Sequence, residues 1–330
     1  MKPMLGIVLL TAVTSCSASS LALGVLAPLS ESRSYIAALV ALDIDVRKHF
    51  EAGLVARFGP PVLRVESPNV GLQNVSFRMG TTNLQPEVGL TMAMEFLVGL
   101  DDQPVAGLIG TATSVVSVPL AILSAGQKVP QVSFGATTPA LSNKESYPFF
   151  LRTIPPDSIQ SIALLTWLDA FQVHFALCIY SDEAYGRGIY LAMQEQATAA
   201  GEPDRLSGHR LRYMPQSFDK EEARGVVQHA KAQGSRFVLV AMVKHLGGLL
   251  LVLEEEGMLG PHWQILGSEY VGDMMPEEFP VGYMRMNPAD NGPKLDAFTG
   301  FWSQLTREDV VGPAAQARYK LGSLKIPLED

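Results

Sequence analysis

The chain has 330 residues, of which 47% are hydrophobic and 18% are charged, and this composition excludes a disordered chain. Its length favours two domains. The formal net charge of -8 argues against a nucleic-acid-binding surface, because such a surface needs a basic stripe to displace phosphate counterions, and the sequence has none.

The N-terminus has the pattern of an export signal. Lys2 precedes the apolar run LGIVLLTAV (5–13) and small residues suited to cleavage near Ala18. The run is too short to span a bilayer, so we expect residues 1–18 to be a signal peptide and the protein to be exported, extracellular or periplasmic. A first buried strand is the alternative. The residues before Cys16 also fit a lipoprotein signal, in which a lipid on Cys16 would hold the protein at a membrane.

The first half alternates short apolar runs with helical patterns. We predict strands at 21–28, 61–66, 105–110 and 130–135, and helices at about 33–50, 86–98 and 114–126. Pro86 and Glu87 favour a helix start at that point. Strands that are apolar on both faces and separated by helices are typical of a parallel sheet covered on both sides. Asn74-Val75-Ser76 fits a glycosylation acceptor, which applies only to a eukaryotic secretory route.

The second half repeats this scheme. We predict strands at 175–180, 209–214, 237–242 and 263–268, and helices at about 184–200, 219–233 and 246–256. Two similar α/β lobes follow, with lobe one at 19–154, lobe two at 155–285 and a return segment at 286–330. Ligands of such sheets bind beyond the carboxyl ends of the strands, so the residues after each strand are the candidates for a site.

Hydroxyl groups follow two strands of lobe one. Thr113 and Ser114 open a helix whose free N–H groups and positive dipole end suit a carboxylate. A helix N-cap is the alternative role for either residue. Ala136 and Thr137 follow the next strand and add backbone and a hydroxyl at the same edge. Lobe one therefore offers groups that suit an anion.

Acidic and aromatic residues follow the strands of lobe two. Asp157 opens a helix after two prolines, where a cap is the alternative role, and Glu269 follows the strand at 263–268. Tyr185 lies beside Gly186, and its ring would attract an ammonium by cation–π interaction or would serve only in packing. One lobe thus suits an anion and the other a cation, which is the arrangement that an α-amino acid requires.

Residues 105–160 and SDEAYGRG (181–188) resemble the ligand-binding Venus-flytrap domain of class C G-protein-coupled receptors. That domain shares the type I periplasmic-binding-protein fold with bacterial branched-chain amino-acid-binding proteins. The resemblance implies an α/β, two-lobed fold in which each lobe is a doubly wound, mostly parallel sheet. It implies an extracellular domain that captures a small α-amino acid or related zwitterion between the lobes and signals by their closure.

The resemblance also implies a role for each candidate residue. Ser114 and the backbone around Ala136 and Thr137 would hold the ligand carboxylate. The Thr137 hydroxyl, Asp157 and Glu269 would take the amino group, and Tyr185 would cover that group when the lobes close.

Two positions depart from what the resemblance leads one to expect. Gly135 stands where amino-acid receptors commonly have Ser, and Met274 stands where glutamate-selective members have Arg. Gly135 removes one hydroxyl contact, and Met274 leaves no Arg for a distal carboxylate, which favours a neutral or apolar ligand side chain over glutamate.

The resemblance extends beyond the end of the chain. The family continues after the return segment with a long helix to lobe one and, in receptors, with a Cys-rich segment and seven membrane helices. Because the sequence stops at Asp330, we expect part of lobe one to be missing, either in a fragment or because a partner supplies it. The expected partners are a second copy bound through lobe one and a membrane partner or missing transmembrane region.

Two other functions stay open: a periplasmic amino-acid-binding lipoprotein of an ABC transporter, and a truncated interaction module that binds no ligand. An enzyme is not expected, because the sequence has no G-x-S-x-G elbow, P-loop or H-E-x-x-H motif. The six histidines share no short ligand spacing, so we expect neither a metal nor a cofactor. Cys178 lies in a buried-strand pattern and is assigned no chemistry.

Overall fold

The computed structural model describes residues 20–27, 74–99, 104–270 and 276–287, together with Met274, Asp296, residues 299–300 and residues 303–304. The predicted signal peptide, Cys16, the predicted helix at about 33–50 and the predicted strand at 61–66 lie outside these residues.

The elements of the first half form one sheet and its helices. They are β1 (Ser20–Ala27), β2 (Asn74–Thr81), α1 (Pro86–Val98), β3 (Gly107–Ile109), α2 (Ser114–Gly126), β4 (Gln131–Ser133), a 3-10 helix (Pro139–Ser142) and β5 (Phe150–Arg152). The bounds predicted for α1 and α2 are confirmed. β5 is a strand that the sequence analysis did not predict, and neither did it predict β2 at its position.

The elements of the second half form the other sheet. They are α3 (Asp157–Ala170), β6 (Ala176–Ser181), α4 (Ala184–Ala199), β7 (Leu206–Leu211), α5 (Lys220–Lys231), β8 (Phe237–Ala241), α6 (Leu246–Glu255), β9 (Gln264–Gly267), a second 3-10 helix (Pro276–Glu278) and β10 (Tyr283–Arg285). β10 was not predicted.

β7 corrects a prediction, since it begins three residues before the predicted strand at 209–214. Its buried residues are Leu206, His209 and Leu211. The next residue, Arg212, lies outside the strand, and its guanidinium pairs with Asp219 and Glu222 at the start of α5.

The two sheets have the same strand order. The first reads β2-β1-β3-β4-β5 and the second reads β7-β6-β8-β9-β10, and the neighbouring strands are parallel. In both, the first strand of the half lies between the second and the third, which is the doubly wound pattern. The predicted two-lobed α/β fold with parallel sheets is therefore confirmed, while the lobe boundaries stay predictions.

The second sheet is buried on both faces. Leu177 and Ile179 of β6 pack into one core with helices α5 and α6, whereas their neighbours Ala176 and Cys178 pack into another with α3 and α4. Successive side chains of a strand point to opposite faces, so a continuous apolar run fits a sheet that is covered on both sides. The carboxyl ends of the strands are left as the place where polar loops gather.

Candidate functional site

The loop between β3 and α2 places two buried hydroxyls at a helix N-terminus. Thr113 is the N-cap residue of α2, but its side chain makes no capping hydrogen bond, and its Oγ1 is buried without a partner among the described residues. Ser114 is the first residue of the helix, and its Oγ accepts from Thr138 N at 3.1 Å. Because a hydroxyl can donate as well as accept, the Ser114 proton remains available for an anion.

The loop after β4 is organised by Ser133, which the sequence analysis did not single out. Ser133 Oγ donates to Thr111 O at 2.6 Å and accepts from Ala136 N at 2.8 Å. The Ala136 N–H is therefore already paired within the protein. A Cβ atom on Gly135 would lie 2.4 Å from Ala112 O, which explains glycine at this position, because no side chain fits so close to a backbone carbonyl.

Arg152, on β5, fixes the far side of the same loop. Its Nη1 donates to Thr138 O at 2.8 Å and to Ala136 O at 3.3 Å. The sequence analysis missed this residue. Its positive charge also favours the charged form of Asp157, although only as a minor influence on that carboxyl.

Asp157 joins the two halves of the site. It is the first residue of α3, and its N–H donates to Thr137 O at 2.8 Å. The side chain is buried, and neither Asp157 Oδ2 nor Thr137 Oγ1 completes a hydrogen bond of normal geometry. Burial raises the pKa of Asp157 well above its ordinary value, and the charges of Glu269 and Glu183 raise it further, against smaller opposing effects of Thr137 and Arg152.

Glu269 lies beside Asp157 and is held by a residue of α3. It follows β9, and its Oε2 accepts from Gln160 Nε2. Burial raises the pKa of Glu269, and the hydrogen bond from Gln160 partly offsets that rise. Gln160 was missed, although its spacing from Asp157 is a signal, because residues three apart on a helix share one face.

Tyr185 lies at the N-terminus of α4 beside both acids. Glu183 caps this helix, since it accepts from Tyr185 N and Gly186 N, each at 2.7 Å. The Tyr185 ring is buried and meets Tyr270 edge to face, with ring centres 6.4 Å apart. Burial, followed by the charges of Glu269 and Asp157, raises the pKa of Tyr185 well above its ordinary value, so its hydroxyl stays protonated.

A cavity of about 160 Å³ lies beside Thr137, Asp157, Gln160 and Glu269. It is lined by Thr137, Ile154, Pro155, Pro156, Asp157, Ile159, Gln160, Ala163, Glu269, Met286 and Asn287. The volume is below the roughly 300–1,000 Å³ of drug-sized ligand sites, so a small ligand fits best. The described lining residues include two acids and no Lys or Arg.

The structure does not bring every candidate to this cavity. Thr137, Asp157 and Glu269 line it, and Tyr185 lies next to both acids. Thr113, Ser114 and Ala136 are not among the described lining residues, although Ser114 Oγ accepts from Thr138 N beside Thr137. Met274 packs on the core of the second lobe instead, with its Sδ 3.6 Å from where a Gly247 Cβ would stand.

The remaining candidates lie away from the cavity as well. Asn74 is the first residue of β2, paired with Ser20 on β1. Within the described ranges no three His, Cys, Asp or Glu side chains are grouped so that they could hold a metal ion. None of the helices described is both long and apolar enough to cross a bilayer.

Comparison with known proteins identifies related sequences. A family model described as the receptor family ligand binding region matches residues 65–309, which is more than half of the chain. The chain is similar to the metabotropic glutamate receptor of Drosophila melanogaster, at 32% identity over 42% of this chain and 15% of the receptor. It is similar to human metabotropic glutamate receptor 8 at 27% identity, over 42% of this chain and 16% of that protein.

A third relative comes from Dictyostelium discoideum. The metabotropic glutamate receptor-like protein E of that organism is 37% identical over 30% of this chain and 12% of its own length. The chain thus covers less than one fifth of the length of each of these relatives.

Proposed function

The chain belongs to the family of receptor ligand-binding regions, and from that premise we propose that it binds a small neutral α-amino acid between two lobes and signals by their closure. The relatives named as receptors support this function over that of a transporter-associated carrier. The proposed lobes are residues 19–154 and 155–285.

One observation carries the proposal: Asp157 is buried at the cavity, and one of its carboxyl oxygens has no partner among the described residues. Leaving a buried polar atom unpaired is costly, and a buried charge costs more. A ligand ammonium would pair with Asp157 and Glu269 together and would offset that cost. The Tyr185 ring, beside both acids, would add a cation–π contact.

The opposite end of the ligand would meet lobe one. Ser114 retains a hydroxyl proton, and Thr113 Oγ1, at the same helix N-terminus, is buried without a partner among the residues described. Backbone N–H groups and the helix dipole at such a terminus stabilise a carboxylate. An α-carboxylate therefore has donors on lobe one, while the α-amino group has acceptors on lobe two.

The cavity walls favour a neutral ligand side chain. Ile154, Ile159 and Met286 supply apolar surface, and no described Lys or Arg lines the cavity. A second carboxylate, as in glutamate, would be buried without a cation. Met274, the position at which the family resemblance leads one to expect Arg in glutamate-selective members, packs on a core instead.

Contacts that cross between the proposed lobes support closure as the signalling step. Asp157 N donates to Thr137 O, and a Cβ on Gly188 of α4 would lie 2.9 Å from Thr138 Oγ1. A ligand held by groups from both lobes stabilises this arrangement over one in which the lobes are apart, and so shifts the equilibrium between them.

Titration calorimetry and thermal unfolding of the full chain test the proposal with glycine, L-alanine, L-leucine, L-glutamate and γ-aminobutyric acid. We expect a saturable rise in unfolding midpoint with the neutral amino acids, equivalent to about 2.7 kcal/mol at a hundred times the Kd. Asp157→Asn should abolish it. Asp169→Asn, at the other end of α3 and paired with Arg205, is the matched control. A midpoint that no amino acid moves, or full binding by Asp157→Asn, contradicts the proposal.

We also propose an exported protein that pairs with a second copy through lobe one. Among the described residues of lobe one, three large apolar side chains on helices are more than half exposed: Met94 and Val98 on α1, and Ile122 on α2. Sedimentation of the full chain tests this, with a dimer expected and a monomer at micromolar concentration contradicting it. Glycosylation at Asn74 on secretion from a eukaryotic cell would support the receptor function.

A further inference from the structure

Gln160 has two functional groups that face different partners. Its amide nitrogen donates to Glu269 Oε2, so its carbonyl oxygen, Oε1, points elsewhere. That oxygen is buried and has no hydrogen-bond partner among the described residues, although Gln160 lines the cavity. A buried amide normally satisfies both ends, and the unpaired end calls for a donor from outside the protein.

Two oxygen atoms of neighbouring residues also lack a hydrogen-bond partner among the described residues. Asp157 Oδ2 and Thr137 Oγ1 are buried without a partner in the part of the chain that the structure describes, and both residues line the same cavity. Asp157 is 1% exposed. Asp157 and Gln160 lie three residues apart and share one face of α3. Their unpaired oxygens and the Glu269 carboxylate thus form one group of acceptors.

We propose that Gln160 is a further ligand-binding residue, whose carbonyl accepts one N–H of the ligand's ammonium while its amide nitrogen positions Glu269. The inference rests on the proposed function and makes it more specific. Asp157, Glu269 and the Gln160 carbonyl supply three acceptors, which is the number of N–H groups on a primary ammonium, while the Thr137 hydroxyl can act as a donor to Asp157 instead. The site therefore selects primary amines over N-methylated ones.

N-methylation separates this role from a purely structural one. A secondary ammonium has two N–H groups, which the two carboxylates take, so the Gln160 carbonyl gains no partner from it. Loss of that carbonyl should weaken a primary amine more than a secondary amine. A residue that only positions Glu269 would affect both amines alike.

The experiment measures Kd by titration calorimetry of the full chain with L-alanine and with N-methyl-L-alanine. We expect the wild type to prefer L-alanine by tenfold or more. Gln160→Met, which keeps the size of the side chain but has no amide, should weaken L-alanine binding by about ten- to a hundredfold, as expected for a hydrogen bond to a charged group. It should also weaken N-methyl-L-alanine binding, because Glu269 loses its hydrogen bond from Gln160, but by a smaller factor, so that the preference for L-alanine falls.

The matched control is Gln196→Met on α4, which removes an amide hydrogen bond to Ser158 O on α3, and neither residue is among the described residues that line the cavity. It should leave both values of Kd unchanged. If Gln160→Met does not fold, Gln160→Leu gives the same comparison. Unchanged L-alanine binding, or equal losses for both amines, overturns the role of Gln160 while the effect of Asp157→Asn still upholds the proposed function. A wild type that binds neither probe overturns both.

Discussion

Gly186 and Gly188 lie two residues apart on α4, and their surroundings predict opposite effects of substitution. A Cβ on Gly186 would lie 2.5 Å from Ser181 O and 2.6 Å from Ala241 O, both backbone atoms of the second sheet. A Cβ on Gly188 would lie 2.9 Å from Thr138 Oγ1 and 3.2 Å from Pro139 Cδ, which belong to the first lobe. Gly186 therefore packs within one lobe, whereas Gly188 packs between two.

The expected magnitudes follow from these contacts. Gly186→Ala forces a methyl group against two carbonyls held in a sheet, which costs about 3 kcal/mol, and the helix propensity of alanine returns about 1 kcal/mol. The net loss of unfolding free energy is about 2 kcal/mol. Gly188→Ala should instead keep or raise that free energy by up to about 1 kcal/mol, because the lobes can separate slightly to relieve its contact.

Gly188→Leu tests whether the contact between Gly188 and the first lobe is needed for ligand binding. The larger side chain cannot fit against Thr138 and Pro139, so it should disfavour closure by about 1–3 kcal/mol. Affinity for L-alanine should fall roughly five- to a hundredfold, since only the closed arrangement joins both halves of the site. The radius of gyration in solution should rise in the presence of L-alanine relative to the wild type.

Urea unfolding, titration calorimetry and small-angle X-ray scattering on the two glycine variants measure these effects. Gly186→Ala should lose stability, and any ligand binding that remains should follow the folded fraction. Gly188→Leu should lose affinity at nearly unchanged stability. The reasoning fails if Gly188→Leu binds L-alanine as tightly as the wild type, or if both positions lose the same unfolding free energy.

Three further predictions concern single side chains. Burial raises the pKa of Asp157 in the folded protein, so deprotonation of this carboxyl lowers the free energy of unfolding as the pH rises from the unfolded pKa of about 3.9 through the folded value. Without ligand, Asp157→Asn should therefore have a higher free energy of unfolding than the wild type at neutral pH, and this difference should disappear near pH 3. Urea titrations that give the same difference at every pH would contradict this. Gly135→Ser should lower the free energy of unfolding by about 1–3 kcal/mol, because the added Cβ would strike Ala112 O, and it should not improve affinity for L-alanine. Tighter binding of L-alanine in calorimetry would contradict this. Cys178 is fully buried, and burial raises the pKa of its thiol to about 12. A maleimide should therefore label this thiol only in urea. Labelling of the native protein would contradict the burial of Cys178.

Much of the architecture could be read from local patterns, and the misses have physical causes. Helices α1 and α2 each begin beside a recognisable signal, Pro86 in one and a Thr-Ser pair in the other. β5 and β10 each have three residues and include an Arg, so neither has the length or the apolar run that predicts a strand. Their place at the end of each sheet is set by tertiary pairing.

The candidate site was predictable where one residue stands at a strand end. Glu269 follows a predicted strand and Asp157 opens a helix after two prolines, and the structure places both at one cavity. Gln160 and Arg152 could not be found in this way, since each acts through a partner that is distant in sequence or held by a loop. The position of Met274 in the sequence, by contrast, suggested a specificity residue of the site, whereas its side chain packs on a hydrophobic core.

The consecutive order of the two sheets bears on how the protein is made. Every described strand of the first sheet precedes every described strand of the second along the chain. Domains generally fold as units during synthesis, N-terminal first, so the first sheet can close once residue 152 has left the ribosome. The cavity draws on Thr137 from the first half and on Glu269 from the second. The nascent chain therefore acquires two folded sheets in succession, and the cavity is assembled last.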